Sequence, residues 1–169
     1  IAHVIGAHVH PGVRVGAVAS GGGFINAAAD EIEVRVEGRG GHAAYPHEAS
    51  DTIAAIAHIA IAIPEVIRRT ISPLRPAIIS IGTLTAGEGA ANVLPAHARL
   101  FATMRTTDPA DRDPLFRAVS MMAQRTAESF GTRAVVTRVE GEPALINDSG
   151  LAAGADDWLA NLGVDGAEP

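Results

Sequence analysis

The sequence predicts a mixed α/β (α+β) fold of the ferredoxin-like type, with the order β-α-β-β-α-β. Two observations carry this prediction. Segments that alternate apolar and polar residues, typical of half-buried strands, flank two segments with apolar residues at helical spacing. Apolar residues make up 47% of the 169 residues, which is enough to form a buried core, and charged residues make up only 19%. A four-stranded antiparallel sheet with two helices on one face would bury every apolar stripe.

Two strands are predicted in the first forty residues. The segment Val4–Val9 is apolar and is followed by a Pro-Gly pair, which favours a buried strand that ends there. From Asp30 to Glu37, Ile32, Val34 and Val36 alternate with charged residues, which indicates a strand with one buried face.

A helix is predicted after the first complete strand, with Ser50 or Asp51 as its N-terminal cap. Its apolar stripe consists of Ile53, Ile56, Ala60, Ile63 and Ile67. Pro64 falls within the stripe, so we expect it to kink the helix or to separate the last turn, Glu65–Arg69.

The remaining elements complete the predicted sheet. Ala77–Thr85 and Ala98–Thr107 have strand patterns, and so does Thr132–Val139. Between the last two, a helix is predicted with Asp111 or Asp113 as its cap. Its stripe consists of Leu115, Val119, Met122, Ala123 and Phe130, and Gly131 is suited to end it. A short helix is also predicted at residues 151–162.

Composition excludes several classes of function. The net charge is −6, and no basic stripe is available to neutralise phosphates, which argues against nucleic acid as a partner. Cysteine is absent, so disulfides and thiolate metal sites are excluded. The longest apolar stretch, Ile53–Ile63, is too short to span a bilayer, so we expect no membrane partner.

The segment Gly40-Gly41-His42 lies between a predicted strand and a predicted helix. Glycines allow positive φ and a sharp turn, and a histidine there would be presented at a loop tip, where catalytic groups are often found. The alternative is that His42 is an ordinary surface histidine. The case for a surface histidine is stronger still for His47.

Two further histidines, His8 and His10, are two residues apart, so on a strand both would point to one face and could hold a metal ion. The alternative is one buried and one exposed histidine, and no acidic residue lies nearby in the sequence. His58 is expected to be structural and His97 to be solvated.

Asn92 and Arg105 are the remaining polar candidates. Asn92 precedes an extended segment, where it could contact a ligand or close the turn before it. Arg105 lies on the polar side of a predicted strand. Its guanidinium could bind a carboxylate with two hydrogen bonds, or it could pair with a cross-strand neighbour.

Taken in order, four motifs resemble the M20 metallopeptidase family. They are His8-Val9-His10-Pro11-Gly12, Gly40-Gly41-His42-Ala43-Ala44-Tyr45-Pro46-His47, Asn92-Val93-Leu94-Pro95 and Arg105-Thr106. The resemblance covers nearly the whole chain, and its most specific part is the second motif. The most similar branch is that of the amidohydrolases, which includes aminoacylase-like, hippurate hydrolase-like and indoleacetyl-amino-acid hydrolase-like enzymes.

The resemblance implies a lid, or dimerisation, domain inserted into an α/β catalytic domain that carries two divalent metal ions, zinc or manganese. Residues 1–28 would be the end of the first part of the catalytic domain. Residues 29–142 would be the lid, which often forms a homodimer, and residues 143–169 would return to the catalytic domain. We expect a cytoplasmic protein.

The resemblance also implies roles for single residues. His8 would be a metal ligand. His42 would stabilise the tetrahedral oxyanion, commonly in the active site of the partner subunit. Asn92 and Arg105 would contact the substrate, and the arginine is suited to its terminal carboxylate.

The expected activity of the parent protein is hydrolysis of N-acyl amino acids or similar amides. The 169 residues lack the family's other metal-ligand motifs and its general base. A catalytic metal needs about three protein ligands, so this chain alone is expected to bind no metal stably and to be inactive. The alternative function is a non-catalytic ferredoxin-like module for dimerisation or ligand binding.

Overall fold

The computed structural model describes residues 3–87 and 89–167, with the backbone alone at Asp165 and Ala167. The first two and last two residues of the predicted flanking segments lie outside the described residues. Two compact units are present: residues 26–144 form one, and segments 1–25 and 145–169 form the other. The elements, in chain order, are β1 (Ala17–Ala19), β2 (Gly23–Asn26), β3 (Ala28–Glu37), β4 (Gly41–His42), a 3-10 turn (Pro46–Glu48), α1 (Thr52–Thr70), β5 (Ala77–Ala86), β6 (Val93–Leu94), β7 (His97–Thr106), α2 (Pro109–Ser129), β8 (Arg133–Glu140), β9 (Leu145–Asn147), α3 (Ser149–Asn161) and β10 (Asp165–Ala167).

The larger unit is built on a four-stranded antiparallel sheet. Its strand order is β5-β7-β3-β8, and Val34 at the centre of β3 lies opposite Leu100 on β7 and Val136 on β8. One face carries α1, which packs over β5 and β7, and α2, which packs against β8. This arrangement confirms the predicted ferredoxin-like fold.

The core lies between the helices and one face of the sheet, because strand side chains alternate between the two faces. Ile32, Val34 and Val36 are at most 1% exposed, as the alternation predicts. The buried residues that they meet are Ala98, Leu100, Ala102 and Met104 on β7, Ala55, Ile56, Ile59 and Ile63 on α1, and Leu115, Val119, Ala123 and Ala127 on α2.

Helix α1 begins after Asp51, whose side chain accepts a hydrogen bond from Ala54 N. The helix runs without interruption through Pro64, so the predicted separation of its last turn is wrong. The proline removes one backbone hydrogen bond, but Ile63 before it and Ile67 after it still pack on the core. Ile53 is 45% exposed and was wrongly assigned to the buried stripe.

Helix α2 begins earlier than predicted. Its cap is Asp108, which accepts from Ala110 N at 2.8 Å, so the assignment of the cap to Asp111 or Asp113 is wrong. Pro109 explains the shift, because proline is favoured at the first position of a helix, where no N–H partner is needed. Gly131 follows the helix with φ +65°, as predicted.

The smaller unit contains short elements. β1 pairs with β10 in parallel, β2 pairs with β9, and α3 begins after Asp148, whose side chain accepts from Leu151 N. Residues 3–10 have no regular secondary structure, so the predicted strand Val4–Val9 is wrong. An apolar run forms a strand only where another strand pairs with it, and none of the described strands does. Within the described ranges, no helix has the length and apolarity needed to cross a membrane.

Candidate functional site

The loop around His42 is held against the segment that contains Asn92. Strand β4 pairs with β6, with Gly41 opposite Leu94 and His42 opposite Val93. Just beyond this pair, Ala43 N donates to Asn92 O at 2.9 Å. The structure therefore brings together two of the four predicted site residues.

Gly40 and Gly41 are needed here for a reason other than the predicted one. Neither has positive φ, so that expectation is wrong. Instead, a Cβ atom on Gly40 would lie 2.9 Å from Leu94 O, and one on Gly41 would lie 3.0 Å from the Cβ of Ala49. The two glycines therefore allow the close approach of neighbouring segments that positions His42.

The His42 side chain is exposed, and its conformation is fixed by its own loop. Nδ1 accepts a hydrogen bond from Ala44 N at 3.1 Å, and the carbonyl oxygen of His42 accepts one from Tyr45 N at 2.8 Å. The Tyr45 ring lies 5.7 Å from the imidazole, centroid to centroid. Since Nδ1 is engaged inside the loop, Nε2 is the atom available to a ligand.

His47 lies in the same loop but has fewer constraints. Its side chain is 73% exposed, and its Nε2 lies 3.8 Å from Oε1 of the equally exposed Glu48. Its ring meets that of Tyr45 edge-on at 6.4 Å. These contacts agree with a surface histidine.

Arg105 lies on the helix-free face of the sheet, opposite Ala29 on β3 and Ile78 on β5. Its side chain is exposed, and no carboxylate pairs with it among the described residues. His97, at the other end of β7, marks the end of the sheet from which the His42 loop extends. Arg105 is eight residue steps along the strand from His97, which corresponds to about 27 Å at about 3.4 Å per residue. One copy of the chain therefore does not bring Arg105 close to His42 and Asn92.

His8 is exposed in the irregular segment of the smaller unit. Its Nδ1 lies 2.6 Å from the carbonyl oxygen of Val9, which can only accept, so Nδ1 carries the proton. The lone pair on Nε2 is then free, which is the usual form of a histidine that binds a metal. His10 differs, because its Nδ1 accepts from Gly12 N at 3.2 Å. The predicted strand that would point both rings to one face is absent.

The described residues do not form a metal site by themselves. Within residues 3–87 and 89–167, no group of three or more His, Cys, Asp or Glu side chains converges in a way that could hold a metal ion. His8 could supply one ligand, and about three protein ligands are needed for a catalytic metal.

His58 and His97 were expected to be structural and solvated, respectively. His58 Nδ1 lies 2.8 Å from the carbonyl oxygen of Ala54, and its ring lies 4.9 Å from that of Phe130 on α2. His97 is the exposed first residue of β7.

A buried ion pair between Asp30 and Arg112 was not predicted from the sequence. Asp30 is 2% exposed, and its carboxylate accepts hydrogen bonds from Arg112 Nε at 2.6 Å, from Arg112 Nη2 and from Gly141 N at 3.1 Å. Burial alone would raise the pKa of Asp30, but the bonds from Arg112 and Gly141 outweigh it and hold the pKa below its ordinary value of 3.8. The sequence does contain a signal for the burial of Asp30. Asp30 and Ile32 are two positions apart in the same strand, so both lie on its buried face.

A second charged group covers the helix-free face near the centre of the sheet. Glu33 binds Arg35 and Arg99, and the Arg99 guanidinium lies 3.8 Å above the Phe101 ring. The hydrogen bond from Arg35, assisted by Arg99, holds the pKa of Glu33 below its ordinary value. These arginines are neutralised inside the chain, in contrast to Arg105.

Comparison with known proteins identifies one family and several relatives. The family described as peptidase dimerisation domain (M20) matches residues 25–131. The chain is 34% identical over 157 residues to the N-acetyldiaminopimelate deacetylase of Bacillus licheniformis, with 93% of this chain covered, and 32% identical over 148 residues to the N-acetyl-L-cysteine deacetylase of Bacillus subtilis, with 88% covered. The chain spans only 42% and 35% of the length of these relatives.

Solved structures share the fold. One is the Bacillus subtilis YXEP protein, a dinuclear metal-binding peptidase from the M20 family, with a TM-score of 0.70 and 24% identity over 95% of this chain and 39% of that one. Another is the aminobenzoyl-glutamate utilization protein of Klebsiella pneumoniae, with a TM-score of 0.75 and 21% identity over 96% of this chain and 42% of that one.

Proposed function

The chain belongs to the peptidase dimerisation domain family of the M20 peptidases, and we propose that it is the lid segment of a metal-dependent amidohydrolase. The proposed substrates of the parent protein are N-acyl amino acids or similar amides. The names of two relatives, both deacetylases of N-acetylated amino acids, support this class. Residues 29–142 would form the lid, and the flanking segments would belong to the catalytic domain.

The observation that carries the proposal is the pairing of His42 with the Asn92 segment. His42 presents Nε2 in an exposed loop whose backbone is bound to Asn92 through Ala43. A donor placed there would stabilise the negative charge that develops on the carbonyl oxygen when an amide is attacked by water. The amide of Asn92, one strand away, would contact the same substrate.

Arg105 would bind the carboxylate of the substrate from a second copy of the chain. It lies about 27 Å from the end of the sheet that carries His42, by its position in β7 and about 3.4 Å per residue. An N-acyl amino acid is much shorter than this distance. A substrate that contacts both residues would therefore lie between two subunits, which supports a homodimer.

The surface proposed for dimerisation is the free edge of β5 with the neighbouring flank of α1. Ile81 and Leu84 lie opposite the buried Ala102 and Leu100, so they face the helix side of the sheet, yet they are 38% and 44% exposed. Ile53 on α1 adds a further exposed apolar group. A second copy is the occupant that would cover both the strand edge and these side chains.

The proposed cofactors of the parent protein are two divalent metal ions, zinc or manganese, which would activate water for attack on the amide. His8 would supply one ligand through Nε2, because its Nδ1 is already bound to Val9 O. The other ligands would come from parts of the parent protein that this chain does not include. The 169 residues alone are therefore proposed to be inactive.

The test of the proposed function is His42→Ala in the full-length parent enzyme. Loss of a donor to the oxyanion should lower kcat by roughly 10²- to 10³-fold on an N-acetyl amino acid. His47→Ala, in the same loop, is the matched control and should change kcat by less than about threefold. An unchanged kcat in His42→Ala would contradict the proposal and favour the non-catalytic module.

A further inference from the structure

We propose that the backbone amide of Ala44 positions the proton of His42 and holds the neutral ring in the tautomer with hydrogen on Nε2. Ala44 is thereby a positioning residue that acts through its main chain. The inference rests on the proposed function in one respect: a proton on Nε2 matters to the reaction only if the carbonyl oxygen of a substrate reaches it.

One hydrogen bond within the loop can run in only one direction. Ala44 N lies 3.1 Å from His42 Nδ1, and an N–H group can only donate. Nδ1 must therefore offer its lone pair, and a neutral imidazole then carries its single hydrogen on Nε2. The side chain that the site exposes is a donor.

Neighbouring contacts keep this bond in place. The N–H groups of Ala43, Ala44 and Tyr45 are all used, in turn, by Asn92 O, His42 Nδ1 and His42 O. The ring of Tyr45 lies beside the imidazole, with the two centroids 5.7 Å apart. The amides of Ala43 and Tyr45 hold the backbone of the loop, and the amide of Ala44 orients the ring on it before any substrate binds, which is the condition for efficient stabilisation of a developing charge.

This tautomer decides between two roles for His42. A general base needs a free lone pair toward the substrate, whereas oxyanion stabilisation needs a proton there. The lone pair of His42 is occupied inside the loop, so the neutral ring can donate to a substrate and cannot accept from it. Removal of a proton from water must be carried out by another group.

The chain contains an internal contrast. His58 Nδ1 faces the carbonyl oxygen of Ala54 at 2.8 Å, and a carbonyl can only accept. The neutral His58 ring must therefore carry its hydrogen on Nδ1, the opposite tautomer. The two histidines can be compared in one sample under identical conditions.

The experiment is a long-range ¹H–¹⁵N correlation spectrum of the ¹⁵N-labelled 169-residue chain at about pH 8.5, well above the usual histidine pKa of about 6.5. We expect a protonated Nε2 for His42 and a protonated Nδ1 for His58. A scalar coupling across the hydrogen bond between Ala44 N and His42 Nδ1 should also be detectable. A His42 ring with hydrogen on Nδ1, or an even mixture of tautomers, would overturn the inference.

Two variants test the part played by Ala44. Ala44→Pro removes the N–H group, and we expect the Nδ1–H form of His42 to become populated. Ala44→Gly retains the N–H group and should keep the wild-type tautomer. If the proline variant disturbs the fold, seen as shifted amide signals in β3 and β7, the wild-type coupling decides the assignment instead.

The two proposals can fail separately. An Nε2–H ring in this chain together with unchanged kcat for His42→Ala in the parent would refute the proposed function and leave the tautomer assignment standing. An Nδ1–H ring together with a large loss of kcat would refute the tautomer assignment alone.

Discussion

Asp30 shows how a single residue secures both ends of the larger unit. It stands near the start of β3, and its partners Arg112 and Gly141 lie on α2 and just after β8. Arg112 also donates to Gly141 O, and Ala29 N donates to Glu142 O. The segment that enters the larger unit is therefore hydrogen-bonded to the segment that leaves it.

Loss of the Asp30 carboxylate should destabilise the fold. Asp30→Asn removes the charged partner that is hydrogen-bonded to the guanidinium of Arg112, whose side chain is only 17% exposed, so the free energy of unfolding should fall by about 3 kcal/mol. Urea unfolding at pH 7 measures it. Glu65→Gln is the control, because Glu65 pairs with Arg68 and Arg69 on an exposed helix surface, and its unfolding midpoint should hardly move. Equal effects of the two substitutions would contradict the buried character of the pair.

The contribution of Asp30 should also depend on pH. Its pKa is lower in the folded chain than the ordinary 3.8, so the folded state favours the ionised form. The stabilisation is complete above that ordinary value and is lost as the pH falls through the folded value. The difference in stability between wild type and Asp30→Asn should thus shrink below about pH 4. A difference that stays constant through acid would show that the carboxylate charge is not the cause.

Sequence patterns located some of these residues and missed others for a physical reason. The two faces of β3 follow from the alternation of apolar and polar residues, which is a local pattern. The same pattern places Asp30 on the buried face. Its partner Arg112 is separated by 82 residues, and only the fold brings the two together. The requirement for Gly40 is likewise non-local, since the atom that excludes a side chain there is Leu94 O.

Helix α1 contains a proline, a residue with low helix propensity, in its interior. Pro64 is exposed in the middle of a helix whose neighbouring Ile63 is buried. Pro64→Ala restores a backbone hydrogen bond at a site with no packing role, so the free energy of unfolding should rise by roughly 1–3 kcal/mol. Pro109→Ala, at the first position of α2, is the control and should bring no gain. A destabilised Pro64→Ala variant would show that the proline is required by the fold.

The difference between local and non-local determinants also explains which element boundaries could be predicted from the sequence. The strands of the sheet and the centres of α1 and α2 follow from patterns that extend over eight or more residues. The start of α2 was misplaced because Asp108, Asp111 and Asp113 all suit a cap, and Asp111 is instead buried against Arg75. The segment Val4–Val9 was misassigned because an apolar run indicates burial but does not name a partner.

At the scale of the whole molecule, the two free edges of the sheet differ in character. The β5 edge carries the exposed apolar residues Ile81 and Leu84, whereas β8 carries the charged residues Arg133, Arg138 and Glu140 and one largely exposed apolar residue, Val139. Charged edge strands resist pairing with other strands. The proposed dimer therefore uses the β5 edge.

A charge at that edge should weaken dimerisation. Ile81→Glu would place a carboxylate in the proposed interface, so the dimer dissociation constant should rise by more than about tenfold. Val139→Glu, at the opposite edge and 63% exposed, is the matched control and should not change it. Sedimentation of this chain measures both. A wild-type chain that remains monomeric at high concentration would contradict the proposed dimer, and equal effects of the two substitutions would place its interface elsewhere.

The bond between Ala29 N and Glu142 O has one more consequence. A domain whose two ends lie side by side can be accommodated in a surface loop of a host protein, because the host strands on either side need not move apart. Residues 26–144 thus have the geometry of a domain that can be inserted into another protein. Different host enzymes could acquire such a module in a single insertion, or lose it in a single deletion, and retain their own fold.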